Sequence, residues 1–364
     1  MSASLQIGRF AGIKVQIHWT FWLLFLFVGF MVYANEGTFT ELIWNFIFVS
    51  ALFFCVVLHE FGHALTARKF GIGTRSITLL PIGGLASLKE IPENPKEEFW
   101  IAIAGPLVNV AIALVLYPFV PIENYIAQDP EVMQEQLAVV GADNFLFYLF
   151  FVNIALVLFN MLPAFPMDGG RIFRALLSMK FGRIKATRLA SGLGKFMALL
   201  FFLFGLFYSI ILAVIAVFIW FGAHSENIMI QQLSLLEGND VRDAMITKFS
   251  TLRPDAPLAA AVDKVLATTE QNFIVAIDDE IYGILYMQDL AQALKEKGKQ
   301  VEIKEVMNPN FITLNADDSL TLGYRKLARG SKNFFPVLEN GKLVGVLDMD
   351  NINEFLTFRA STNY

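Results

Sequence analysis

Residues 58–64 read Leu-His-Glu-Phe-Gly-His-Ala. His59 and His63 are four apart, so on a helix they share one face. Two imidazoles at this spacing suit a divalent metal, and the adjoining Glu60 suits a general base for the attacking water. The run before them, residues 42–58, carries no charge. Ionisable groups inside an apolar span are costly and mark a functional site by default. Catalytic zinc commonly takes three protein ligands and keeps one position open. A third ligand must therefore come from elsewhere in the chain.

The elements that position these residues are membrane spans. Of 364 residues, 55% are hydrophobic and only 17% charged, too apolar for a soluble protein of this size. Nearly all long apolar runs precede residue 225, while 226–364 reads as an ordinary soluble module. The net charge of −5 argues against nucleic acid as the main partner. The single cysteine, Cys55, excludes a disulfide framework within one chain. No cleavable signal peptide is evident, residues 1–17 being mixed in character.

Spans are expected near 18–34, 42–66, 99–120 and 145–162. The connections 35–41 and 119–145 hold no Lys or Arg, whereas those after the second and fourth spans are basic. That alternation puts the N-terminus on the cytoplasmic side. Residues 186–223 fit two further helices turning near Gly205–Ser209, which returns the C-terminal module to the cytoplasm. His59 lies about 25 Å along the second helix, at ~1.5 Å per residue, near the cytoplasmic edge of the bilayer core.

The fourth span runs into Asn160-Met-Leu-Pro-Ala-Phe-Pro-Met-Asp168-Gly169-Gly170. Two prolines and Asp-Gly-Gly should unwind it, and broken backbone at membrane depth is tolerated where it lines a cavity. Asp168 arrives at the same depth as the histidines, as a third metal ligand or as the cap of a helix over Gly169–Met179.

These stretches, with Gly105-Pro106-Leu-Val-Asn109 on the third span, resemble the site-2 protease family of intramembrane zinc metalloproteases. The resemblance covers most of residues 40–175. It is strongest to the branch with C-terminal cystathionine-β-synthase (CBS) domains, to which a sporulation protease is related. It implies one zinc per chain held by His59, His63 and Asp168, and Glu60 as catalytic acid and base. It also implies that Asn160 lies near the metal and binds the scissile carbonyl. Where the family commonly has Leu before Asp-Gly, this chain has Met167. Residues 79–88 suggest a short hairpin or re-entrant loop, and the family uses a membrane-embedded β segment there to pair with an unwound substrate strand. Asn109 reads either as a catalytic group or as a polar residue bonding a neighbouring helix.

Residues 241–364 repeat with an offset of 62: Val241-Arg-Asp-Ala-Met245 matches Ile303-Lys-Glu-Val-Met307, and Gly283-Ile-Leu-Tyr-Met287 matches Gly345-Val-Leu-Asp-Met349. The copies, α/β in type, resemble tandem CBS domains, which often bind adenosine nucleotides. The residues matching that pattern are Asp289 and Asn351. The Ser or Thr that commonly stands three residues earlier is replaced by Tyr286 and Asp348. The module therefore reads two ways, as a nucleotide-binding pair or as a structural, dimerising one.

The expectation is a polytopic α-helical membrane protein of about six transmembrane helices, with a C-terminal α/β tandem CBS module. Its parts are a protease domain at 1–224, a linker at 225–240, and CBS repeats at 241–300 and 301–364. Its expected activity is zinc-dependent cleavage in or near a transmembrane segment of a regulatory membrane protein, under control of the CBS pair. Its expected partners are that substrate, the lipid bilayer and a second copy through the CBS module, in the inner or plasma membrane. The competing function is a CBS-regulated transporter or channel for a divalent cation, which needs no glutamate beside the first histidine.

Overall fold

The computed structural model describes residues 4–81, 83–88, 92–123, 139–278, 280–329 and 333–362. They fall into two compact units, Met1–Ile228 and Met229–Tyr364. Part of the expected 119–145 connection lies outside the described residues.

In the first unit, Thr38 accepts a hydrogen bond from Glu41 N (3.3 Å) and starts the central helix. The chain enters it from α1 (Trp22–Ala34); the central helix itself is α2 (Phe39–Lys69). Glu41 stands in its first turn and Arg68 and Lys69 in its last, each sign matched to the helix dipole. Its 31 residues make a rod about 46 Å long at ~1.5 Å per residue, longer than a ~30 Å bilayer core. Asn94 caps α3 (Pro95–Leu116), with Pro95 at the first position, where no amide is needed. Then come α4 (Phe145–Asn160), α5 (Asp168–Phe181), α6 (Arg183–Tyr208) and α7 (Ile210–Leu236).

Four stretches among the described residues are long and apolar enough to cross a membrane: Phe39–Lys69, Pro95–Phe119, Arg183–Tyr208 and Ile210–Leu236. Trp19–Ala34 and Phe145–Asn160 are shorter apolar helices. Together these are the six helical segments expected. The 186–223 region forms two helices, parted at Ser209, whose backbone is extended. Residues 225–236, read from the sequence as linker, instead complete α7.

A four-stranded sheet lies against α2, in the order β1 (Ser4–Phe10), β2 (Ile13–His18), β3 (Thr74–Leu80), β4 (Gly83–Leu88). β2 and β3 are parallel and the outer pairs antiparallel. Ile13, Ile77 and Ala86 face Phe61, Ala64 and Leu65 of α2. The β3–β4 hairpin contains the 79–88 segment expected to form one. The β1–β2 hairpin is new, since residues 1–17 look mixed until a period of two is sought: Ile13 and Val15 are buried, Lys14 exposed.

The second unit holds two three-stranded sheets: β5 (Thr251–Leu252), β6 (Phe273–Ile277), β7 (Glu280–Leu285), and β8 (Leu314–Asn315), β9 (Phe334–Glu339), β10 (Lys342–Asp348). Helices α8 (Leu258–Ala267) and α9 (Met287–Glu296) belong with the first, α10 (Leu320–Arg329) and α11 (Met349–Thr362) with the second. The repeats do not fill their own cores. Val241, Ala244 and Met245, which open the first sequence copy, pack with Leu314, Val337 and Leu347 of the second. Ile303, Val306 and Met307, which open the second copy, pack with Leu252, Phe273 and Leu285 of the first. Two isolated bridges follow the same exchange, Ile246 to Val346 and Ile284 to Asn308.

Candidate metal centre

α2 turns His59 and His63 to one side, and both are buried. The partner comes from the break after α4. That helix ends at Asn160, and residues 161–167 follow a non-helical path, with Ala164 and Phe165 fully buried. α5 then starts at Asp168. Its first turn is tucked under the break so closely that a Cβ on Gly169 would overlap the carbonyl oxygens of Met161 and Leu162. One on Gly170 would lie 2.6 Å from the Ala164 carbonyl carbon. Only glycines fit there, and the fit delivers Asp168 to the histidines.

Asp168 Oδ2 is 3.1 Å from His59 Nε2 and 3.1 Å from His63 Nε2, and the two nitrogens are 3.1 Å apart. Of the two expectations for Asp168, the cap is not what the structure forms. Met167 occupies the cap position and the Asp168 carboxylate points at the imidazoles. Among the described residues these three are the one group of His, Cys, Asp or Glu side chains close enough to share a metal ion.

The donor set fits zinc. Ligand atoms about 2.0–2.1 Å from a tetrahedral centre stand about 3.3 Å from one another, close to the triangle observed. The hydrogen bonds on the far sides of the rings strengthen the case. His63 Nδ1 lies 2.7 Å from the Ile101 carbonyl, which only accepts, so Nδ1 donates. His59 Nδ1 donates to Asn109 Oδ1 at 2.5 Å. In the neutral rings both Nε2 atoms are then bare lone pairs, facing each other and a carboxylate. Three acceptors turned on one point call for a cation.

One face of α3 serves this centre. Ile101, Gly105 and Asn109 recur every four residues: a carbonyl for His63, a missing side chain, and an amide for His59. A Cβ on Gly105 would overlap the His63 ring and lie 2.7 Å from His59 Nε2. Asn109 is thus a partner of His59, one hydrogen bond away from the donor triangle. Ile101 acts through its backbone and left no mark in the sequence.

Glu60 stands beside this triangle and is held from the sheet. Its Oε2 accepts the Ala86 N–H of β4 at 3.1 Å, beneath Gly84. Asn160, the last residue of α4, is half-buried, and its side chain makes no hydrogen bond among the described residues.

Below the site, Arg174 of α5 is 2% exposed. It binds Glu98 of α3, bonds Glu226 of α7 at 2.5 Å and lies over the Phe165 ring.

In the second unit, Asp289 and Asn351 stand in the first turns of α9 and α11, equivalent places in the two repeats. Asn351 is engaged locally: Asp348 Oδ1 accepts its N–H at 2.9 Å, and its Oδ1 accepts the Asp348 N–H at 3.1 Å. Burial pushes the Asp348 carboxyl above its ordinary range. Tyr286 packs among Ile274, Ile284 and Phe334, and burial pushes its hydroxyl up to about 12.

The sequence pattern of peptidase family M50 matches residues 47–204, and that of the CBS domain matches 241–296 and 303–357. Zinc metalloprotease MJ0392 of Methanocaldococcus jannaschii is 31% identical over 356 residues, 97% of this chain and 96% of that one. Stage IV sporulation protein FB of Bacillus subtilis is 31% identical over 139 residues, 38% of this chain and 43% of that one. Among solved structures, the site-2 protease from Methanocaldococcus jannaschii is 38% identical, with a TM-score of 0.45. It covers 62% of this chain and 95% of its own.

Proposed function

The chain belongs to peptidase family M50, the site-2 type of membrane zinc metalloprotease, and carries tandem CBS domains; on that footing we propose that it hydrolyses a peptide bond within or near a transmembrane segment of a membrane protein. The observation that carries this reading is the buried triangle of His59, His63 and Asp168 with Glu60 beside it. These three side chains would hold zinc, which supplies Lewis acidity that makes water nucleophilic near neutral pH.

The remaining roles belong to the chain's own groups. Glu60 accepts the proton of the attacking water and passes it to the leaving amine. The Ala86 N–H keeps its carboxylate in place. Asn160, with no other partner at the end of α4, is the amide assigned to the scissile carbonyl. β4 is an edge strand of the sheet, and its free side runs along Glu60, where a substrate segment unwound from its helix would add as a strand. A helical segment must unwind first, because its peptide groups are shielded by their own hydrogen bonds.

The basic connections support a cytoplasmic N-terminus and CBS module, and the module is assigned a regulatory part. An adenosine nucleotide there would meet Asp289 and Asn351, and a second copy would dock on the module as a homodimer. Cleavage rates with and without ATP or AMP, and the molar mass of the purified protein in detergent, test these two roles.

The central test is purification in detergent, metal analysis, and incubation with candidate single-span proteins. One zinc per chain and cleavage inside the apolar segment are expected. A metal-free wild type, or cleavage confined to soluble loops, would sink the reading.

A further inference from the structure

Asn109 and Asn153 are both fully buried, in spans otherwise almost free of polar side chains. They form a line of hydrogen bonds ending at a metal ligand. Asn153 Nδ2 is 2.7 Å from the Leu149 carbonyl of its own helix, α4, and 3.5 Å from Cys55 Sγ on α2. Asn153 Oδ1 accepts from Asn109 Nδ2 at 2.8 Å, and Asn109 Oδ1 faces His59 Nδ1 at 2.5 Å.

The direction of this line is forced from its far end. A backbone carbonyl only accepts, so the amide nitrogen of Asn153 must face Leu149. Its oxygen then faces Asn109, which must present nitrogen to it and oxygen to His59. His59 Nδ1 must therefore carry the proton, and Nε2 is left bare towards Asp168 and His63. Reversing either amide would set two donors or two acceptors against each other between fully buried side chains, a costly mismatch.

We propose that Asn109 and Asn153 are positioning residues that lock His59 in its metal-binding tautomer, with the Leu149 carbonyl setting the sense of the lock. The line also fixes the ring plane, since it joins α2, α3 and α4. Cys55, at the end of a weak sulfur contact, is dispensable to it. This inference rests on the metal reading of His59, and the experiment separates the two.

Zinc affinity is measured by chelator competition on full-length protein in detergent, across pH, together with thermal unfolding of the zinc-free forms. Losing a partner of a metal-bound histidine costs about 10- to 100-fold in affinity, so Asn109→Leu is expected to bind zinc that much more weakly. Asn109→Asp keeps an acceptor for Nδ1 but loses the donor to Asn153, so it should weaken binding less than Asn109→Leu does. Asn153→Leu should weaken binding by freeing the Asn109 amide to turn. The double variant Asn109→Leu/Asn153→Leu should be no weaker than Asn109→Leu alone, because the two act in series. Cys55→Ala should change nothing. Wild-type affinity in Asn109→Leu overturns the proposal, as do losses that multiply in the double variant or that track unfolding temperature alone. Should His59→Ala bind zinc as well as wild type, the metal reading falls and the lock with it.

Discussion

Gly105→Ala adds one methyl group to the face of α3 that looks onto the metal centre. The added carbon would lie 2.7 Å from His59 Nε2 and would overlap the His63 ring, where ordinary contact begins at 3.4 Å. His59 alone must retreat by about 0.7 Å, which is several times the ~0.2 Å that a metal–ligand distance tolerates. Relief would require α2 and α3 to move apart, which opens the close approach at Gly62, where a Cβ would stand 2.7 Å from Ala104 O. Zinc affinity should fall by at least about 100-fold, the upper end of what losing a mere partner of a ligand costs, and cleavage should fall with it. Intrinsic propensity favours alanine in a helix by ~1 kcal/mol, which offsets part of the about 1–3 kcal/mol that overpacking costs, so the zinc-free protein should unfold only slightly earlier than wild type. The assay is zinc content after dialysis against a graded chelator, with thermal unfolding as the control for folding. Gly192→Ala, where nothing lies within 4 Å of the added carbon, is the matched control and should bind zinc normally. A Gly105→Ala protein that keeps one zinc at wild-type affinity would refute the closeness of α3 to the ligands.

Glu60→Gln should leave zinc binding intact and abolish cleavage, since an amide accepts no proton; turnover of a validated substrate at the wild-type rate would exclude Glu60 as the base. Asp168→Ala should lower zinc occupancy as well as activity, by metal analysis of the purified protein, whereas full occupancy would return the aspartate to a structural role. Arg174→Met should destabilise the membrane unit by about 3–5 kcal/mol, the usual cost of leaving buried partner charges uncompensated. Its unfolding temperature should recover in part when Glu98→Gln is added, and an unchanged wild-type value in the single variant would show the ion cluster to be idle.

The membrane helices were legible because a span announces itself by length and the absence of charge. The turn at Ser209 was legible because the apolar run is too long for one crossing. The donor triangle was legible because His59 and His63 lie one turn apart and Asp168 follows a break that two prolines force. What escaped was chemistry carried by the backbone. The Ile101 carbonyl and the Ala86 N–H hold His63 and Glu60 in place, yet neither depends on its side chain, so no residue type betrays them. Asn153 was visible as an amide in the middle of an apolar helix, but its meaning depends on Asn109 being opposite, and that pairing needs coordinates. The β1–β2 hairpin escaped because its alternation spans barely two buried residues, Ile13 and Val15. In the CBS module the period of 62 gave the copies, but a repeat in sequence need not be a unit of packing.

That last difference governs what can be cut away. A chain ended after residue 300 keeps one whole sequence copy, but it lacks Ile303, Val306 and Met307, so even the retained sheet has a hole where they belong. A chain resumed after residue 246 has the mirror defect, with Val241 and Met245 missing from beneath β9 and β10. Half a module is therefore two damaged halves, and neither copy is separable as a portable part. A stop codon in the segment joining the copies removes the second and leaves the first without the residues that complete its core.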